Sequence, residues 1–403
     1  MLGALAAGQS HIRGWLAAGD TLATLGIMRA LGLEVERKGD ALTFTGGGTL
    51  CQPNGTLDCV NAGTCMRLMA GLMAGQPFPS VLDGSEQLRK RPMRRVVEPL
   101  RTMGADITDT DGRAPLTIHP ARLSGQVHRL KVASAQVKSA ILLAGLFAEG
   151  QTTVIEPGPG RDHTERMLTA MGAAIHQDGA TVTLQPLDGA ALRPLDMTIP
   201  GDPSSAAFLV AAAAMIPGSD VQVTGVGLNA TRTGLIDALR RMGARIEYED
   251  EVEQGGEPTG TIHVRGGELH ATEVGGEEVV RAIDELPILA VAATQAQGET
   301  IIRDAQELRV KEVDRIAMLA AELRKLGASV EEKPDGMILS GPARLHGAEV
   351  ESYGDHRMGM ALAVAGLAAL GDTTILEAEC MDDSFPGFAT ALASLGARVA
   401  TGD

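Results

Sequence analysis

Aromatic residues are almost absent from this chain of 403 residues: one Trp, two Tyr and six Phe, 2% in all. A core that cannot use large rings has to be filled with Ala, Leu, Val, Ile and the 17 Met. Cysteine is scarce as well. Cys51, Cys59, Cys65 and Cys380 include no CxxC pair, so neither a secreted disulfide framework nor a zinc knuckle is indicated, and reduced thiols are expected. Positive charge is in deficit, with 35 Lys and Arg against 51 Asp and Glu and a net charge of −16. That balance excludes a general electrostatic surface for nucleic acid or for anionic membrane, though not a local basic pocket. No apolar run reaches the roughly 18 residues of a membrane span. Residues 1–7 are apolar but lack the charged start of a signal peptide. A cytoplasmic monomer, with no membrane or nucleic-acid partner and no metal, is expected.

What the chain has in quantity is glycine, at 50 residues, and six of these organise it. The phrase Leu100-Arg-Thr-Met-Gly-Ala-Asp-Ile107 recurs with small changes around Gly32, Gly104, Gly172, Gly243, Gly327 and Gly396. The spacings are 72, 68, 71, 84 and 69 residues, which suits a small α/β unit rather than a short solenoid repeat. Each phrase reads as the end of an amphipathic helix, with glycine where positive φ is required, followed by a strand. An Ala/Leu-rich helix precedes it, ending near Gly8, Gly75, Gly150, Gly218, Gly298 and Gly371. Runs such as Ala361–Leu370 are apolar on every side and predict buried helices. The expectation is an α/β (α+β) protein of two domains, residues 1–228 and 229–403, each of three βαβαββ repeats around buried helices. The first repeat is short: 7 residues precede Gly8, where 14 to 16 lie between the polar helix starts at Asn61 and Ser134 and their glycines.

The starts of the buried helices are polar: Asn61-Ala-Gly-Thr, Ser134-Ala-Gln, Asp202-Pro-Ser-Ser, Asp284-Glu and Asp355-His-Arg. Capping of free N–H groups accounts for such residues singly. Several brought together would also bind anions, through free N–H groups and the helix dipole. Charged side chains crowd two stretches, Arg89–Arg95 and Glu307–Arg315. Local surface ion pairs, worth about 0–1 kcal/mol each, are the plain reading of both. Against it, Lys311 and Arg315 at i,i+4 would share one helix face, and Arg91 before Pro92 would enter a helix. Asp284 at the mouth of a buried helix is either a cap or a general base. Asp162, His163 and Glu165 have a metal-like spacing with no reason to converge. Gly46–Gly48 and Pro157–Gly160 read as turns, the former with no Gly-Lys-Ser/Thr to make a phosphate loop.

Taken together, Asn61-Ala-Gly-Thr-Cys-Met-Arg67, Leu88-Arg-Lys-Arg-Pro-Met93, Ser134-Ala-Gln-Val-Lys-Ser139, Gly201-Asp-Pro-Ser-Ser205, Leu308-Arg-Val-Lys-Glu312 with Asp314-Arg315, and Asp355-His-Arg-Met358 resemble the 5-enolpyruvylshikimate-3-phosphate synthase family over nearly the whole chain. The resemblance implies the enolpyruvyl transferase fold. It also implies a reaction without metal or organic cofactor, in which the enolpyruvyl group of phosphoenolpyruvate moves to the 5-hydroxyl of shikimate 3-phosphate on the route to chorismate and the aromatic amino acids. By matching motif it makes Asp284 the base on that hydroxyl and Glu312 the group linked to proton transfer at C3. Ser134, Ala135, Gln136, Arg161, Asp284 and Lys311 fall to shikimate 3-phosphate. Gly63, Arg91, Gln136, Arg315 and Arg357 fall to phosphoenolpyruvate. A closing motion driven by ligands is implied too. The family's early Asp-Lys-Ser-Ile-Ser-His-Arg segment has no counterpart, so the chain is expected to lack its N-terminal segment. That absence leaves as one alternative a truncated, inactive remnant that binds phosphorylated metabolites; another is an enolpyruvyl transferase acting on a UDP-amino sugar, which shares the fold.

Overall fold

The computed structural model describes every residue except Gly48, Pro159, Thr401 and Asp403. The Gly46–Gly48 and Pro157–Gly160 turns therefore lie partly outside the described residues. Gly46 and Gly47 do not turn; they extend the strand Ala41–Gly47, paired with Gly8 and Ala7.

The chain divides into two compact units, one of residues 1–199 with 253–257 and the other of 200–252 with 258–403. The division falls between Ile199 and Pro200, not at the expected 228–229. The reason is packing: the apolar helix Pro203–Met215 lies against the helices Leu286–Thr294 and His356–Leu367 and the strand Asp220–Gly227, so its burial belongs to the second unit. The first unit also takes in the tip of the hairpin formed by Arg245–Gln254 and Glu257–Arg265.

Among the described residues each unit carries three sheets, and the repeat is visible in how they are built. In the second repeat Leu57–Asp58 runs parallel to Ser80–Asp83, which pairs antiparallel with Arg113–His119, itself antiparallel to Asp106–Thr110. The same order recurs with Val127–Arg129, Thr152–Ile155, Thr181–Leu184 and Ile175–Asp178. It recurs again in the second unit with Glu273–Val274, Gly298–Ile302, Gly336–Gly341 and Ser329–Lys333. In the first repeat the parallel partner of Ala7–Arg13 is Asp196–Thr198, from the end of the same unit. The residues ahead of Gly8, read from sequence as a helix end, form a four-residue 3₁₀ turn, Leu2–Leu5. The six repeat glycines adopt φ from +86° to +102°, a region that a Cβ makes costly.

The helices fill the units. Leu286–Thr294 is buried at all nine positions, and fully sequestering Ile288, Leu289 and Val291 contributes about 1.5–3 kcal/mol each. Small residues set how closely such helices approach. Gly71 in Gly63–Ala74 faces Ala140 in Ala135–Gly145, and a Cβ there would lie 2.1 Å from the Ala140 carbonyl oxygen. Helix propensity alone favours Gly71→Ala by about 1 kcal/mol. Overpacking opposes it by about 1–3 kcal/mol or more, and with backbone as the obstacle it wins. Gly71→Ala is therefore expected to lower the urea midpoint of unfolding, whereas an unchanged or raised midpoint would show that the helices can part at little cost.

Candidate active site

In the second unit five of the sequence-marked residues converge. Asp284 sits in the turn before Leu286–Thr294. Its carboxylate lies 3.6 Å from Lys311 Nζ, 3.8 Å from Arg315 Nη1 and 4.0 Å from Arg357 Nη2. Arg357 Nη1 also donates to the Asp284 carbonyl at 3.3 Å. Arg315 Nη2 donates to Glu312 Oε2 at 2.7 Å, and Glu312 keeps 44% of its side chain exposed.

Local rules explain how these groups are presented. Asp314 accepts from the Ala317 amide at 3.0 Å and starts the helix at Arg315. Lys311 therefore lies outside that helix, after the 3₁₀ turn Gln306–Val310. The expected i,i+4 face does not exist, and the two cations reach Asp284 from a loop and from a helix start. Arg309 uses its charge in local ion pairs, with Asp314 at 2.8 Å and Glu332 at 2.9 Å. Arg315 is 1% exposed and is held by Asp355, itself fully buried, through Nε at 2.8 Å and Nη2 at 3.3 Å. Asp355 also caps His356–Leu367, accepting from the Arg357 and Met358 amides. The Arg315 Nη1 atom is buried without a hydrogen bond. Next to the pair, burial pushes the His356 imidazole below its ordinary value, and Arg357 adds to this.

The first unit gathers a second set. Gln136 accepts from Arg67 Nη1 at 2.5 Å and donates to Thr64 at 2.9 Å. A Cβ on Gly63 would lie 3.0 Å from Arg91 Nη1 and 3.5 Å from Arg67 Nη1, so two guanidinium groups close on this helix start and glycine leaves them room. Arg91 does not enter a helix as expected. It ends the short helix Glu86–Lys90, and the next helix begins at Arg94. Ser134 and Ala135 open Ala135–Gly145, where Ser134 makes no side-chain cap. Arg161 is half-buried, two residues before the helix His163–Ala170. That helix is joined to Ala135–Gly145 by Lys138–Glu165 at 2.7 Å and Ser139–Thr164 at 2.7 Å. Asp162, His163 and Glu165 do not form a metal set; they reach Arg166, Glu257 and Lys138.

Arg67 lies within the quoted motif but was not singled out as a site residue. Burial pulls its guanidinium down to about 10, with Arg95 and Arg91 adding repulsion. The signal was a lone charge in the apolar helix Gly63–Ala74. Glu285 was passed over in favour of its neighbour Asp284, although it is the residue that occupies the helix start. Of the five polar starts, Asp202 and Asp355 use their side chains as caps, and the Asn61 side chain turns instead to Gln87 and Ser85.

Two units of buried helices and sheets, with cations gathered around Asp284 in the second, match an enolpyruvyl transferase fold. At the level of fold, the enolpyruvyl transferase NikO of Streptomyces tendae superposes with a TM-score of 0.76 at 21% identity, covering 98% of this chain and 91% of that one. The family is shown by closer matches, and the chain belongs to the EPSP synthase (3-phosphoshikimate 1-carboxyvinyltransferase) family, whose model matches residues 1–392. It is 50% identical to the 3-phosphoshikimate 1-carboxyvinyltransferase of Brevibacillus brevis over 395 residues, 96% of this chain and 92% of the relative. The EPSP synthase structure from Acinetobacter baumannii gives a TM-score of 0.91 at 42% identity, over 98% and 92% of the two chains. Since nearly the whole of these relatives is matched, the expectation of a chain lacking its N-terminal segment finds no support in them.

Removing one partner of a fully buried ion pair costs about 3–5 kcal/mol. Asp355→Asn is thus expected to lose stability of that order in urea denaturation, because Arg315 would lose the one counter-charge that is buried with it. A loss under about 0.5 kcal/mol would mean that the pair is not what holds Arg315.

Proposed function

We propose that the cations around Asp284 hold the substrates of an enolpyruvyl transfer, in which the 5-hydroxyl of shikimate 3-phosphate attacks C2 of phosphoenolpyruvate. The observation that carries this reading is one carboxylate facing Lys311, Arg315 and Arg357 within 4.0 Å. A structural ion pair needs one cation. Three converge here, and one of them, Arg315, keeps a buried donor atom without a hydrogen bond, so cationic donors remain for a phosphorylated, carboxylated ligand.

In this scheme Asp284 takes the proton of the 5-hydroxyl as its oxygen bonds to C2, and Glu312 delivers a proton to C3. The product of this step is a tetrahedral adduct. A proton then leaves C3 as the C2–O bond to phosphate breaks, which releases inorganic phosphate and restores the double bond. Lys311, with Ser134, Ala135, Gln136 and Arg161, is assigned to shikimate 3-phosphate. Gly63, Arg91, Gln136, Arg315 and Arg357 are assigned to phosphoenolpyruvate. The work of these groups is to hold two mutually repelling anions in reacting order, and proximity of this kind is worth several kcal/mol of barrier. Membership of the family supports shikimate 3-phosphate, rather than a UDP-amino sugar, as acceptor.

Phosphate release from phosphoenolpyruvate should depend on shikimate 3-phosphate, and Asp284→Ala should lower kcat by about 10²–10⁴-fold, the usual worth of a general base. Release driven equally by a UDP-amino sugar, or none from a folded chain, would overturn the reading; the second result would favour a metabolite-binding remnant. A fall of less than about threefold in Asp284→Ala would remove Asp284 from the role of base.

A further inference from the structure

Beside Asp284 stands a second carboxylate that the reaction scheme does not use. Glu285 is 1% exposed, buried in the second unit. The Ser204 hydroxyl, also 1% exposed, donates to its Oε1. That hydroxyl in turn accepts from Arg232 Nη2 at 2.6 Å. The same Arg232 nitrogen donates to Asp202 Oδ1 at 2.9 Å, and Asp202 caps Pro203–Met215 through the Ser204 and Ser205 amides. A continuous polar chain, Asp202–Arg232–Ser204–Glu285, thus ties the starts of two buried helices, Pro203–Met215 and Leu286–Thr294, to the segment leading into Gly234–Arg241.

The expense of this arrangement argues that it does more than fill space. Glu285 Oε2 is buried with no hydrogen-bond partner, a cost of about 1–3 kcal/mol that an apolar side chain would avoid. Burial pushes the Glu285 carboxyl up from its ordinary value, and Arg357 pulls against this. Sequence position says what is gained. Asp284 and Glu285 are adjacent in the turn before the helix and share one peptide, so fixing the Glu285 side chain restrains the backbone from which the Asp284 side chain departs. With the Glu285 side chain anchored inward on Ser204, the Asp284 side chain, 17% exposed, is directed at Lys311, Arg315 and Arg357. The peptide between them is held from the other side by Arg357 Nη1 on the Asp284 carbonyl. We infer that Glu285 is a positioning residue for the transfer reaction, acting through its bond to Ser204 to set the direction of the Asp284 carboxylate.

This inference rests on Asp284 being the base. Steady-state kinetics of phosphate release with shikimate 3-phosphate and phosphoenolpyruvate tests it in Glu285→Ala, Glu285→Gln, Ser204→Ala and the double variant Ser204→Ala/Glu285→Ala, each checked for folding by thermal melting. A displaced base costs chemistry more than binding. Glu285→Ala is therefore expected to lower kcat by about 10- to 100-fold with both KM values within about twofold. Glu285→Gln keeps an acceptor for Ser204 and should return kcat to within about threefold of the wild type. Ser204→Ala should lower kcat in the same sense, and the double variant should be no worse than Glu285→Ala, since both changes cut one link. A kcat unchanged in Glu285→Ala, a Gln variant as slow as the Ala variant, or KM rising in step with the fall in kcat would overturn the inference. Were Glu285→Ala unable to fold, Ser204→Ala alone decides it, and wild-type kcat there would sink it. If the wild type released no phosphate, the functional reading itself would fail and the inference with it; normal wild-type turnover matched by Glu285→Ala removes the inference alone.

Discussion

The pairing of Arg315 with Asp355 is the contact on which the organisation of the second unit's site rests. Both side chains are essentially out of solvent, where an unpaired charge is strongly disfavoured. Asp355 meets several demands at once: it caps His356–Leu367, fixes Arg357 at the second position after the cap, and orients the Arg315 guanidinium by two of its nitrogens. What remains of Arg315 is then directed. Nη2 reaches Glu312 as well, and the remaining nitrogen, Nη1, is turned towards Asp284. Exposed lysines and arginines on flexible stems could not maintain such an arrangement against the entropy of their own rotamers. Burial of a single pair converts a set of mobile charges into a fixed array.

The fold makes this affordable by placing helix starts where they are needed. Caps, arginines and carboxylates gather at the polar starts of buried helices such as Leu286–Thr294 and His356–Leu367. A core of Ala, Met, Leu and Gly, with almost no rings, lets helices approach until Gly71 nearly touches the Ala140 carbonyl. The scarcity of aromatics noted in the composition is thus a feature of helix packing rather than a weakness of the core. It accords with helices such as Leu286–Thr294 that are buried on every face.

Much of this was legible in the sequence because it is local or periodic. The six glycines after helix ends are dictated by φ, and all six adopt the left-handed region. The polar helix starts were readable because a buried helix needs them, and Asp284, Lys311, Arg315 and Arg357 do converge. What sequence could not give depends on partners distant in the chain. Asp314 ends any helical relation between Lys311 and Arg315 by capping at its own position. Arg91 closes one short helix rather than opening the next. Pro203–Met215 joins the second unit because its apolar faces find helices more than 70 residues away, which moves the division to Ile199. Glu285 was hidden for the same reason: nothing near it in sequence announces Ser204 and Arg232.

The account stands or falls on whether the cations around Asp284 bind substrate. Calorimetric titration of shikimate 3-phosphate into the wild type and into Lys311→Met puts the question directly. Lys311 is only partly buried and its ion pairs are long, 3.6 and 3.7 Å, so its removal should leave the fold intact. Loss of a charge-assisted contact to a bound ligand is worth about 1.5–3 kcal/mol, and the account predicts a Kd raised at least about tenfold. An unchanged Kd in a folded variant would mean that the cluster is structural and that the substrate is held elsewhere.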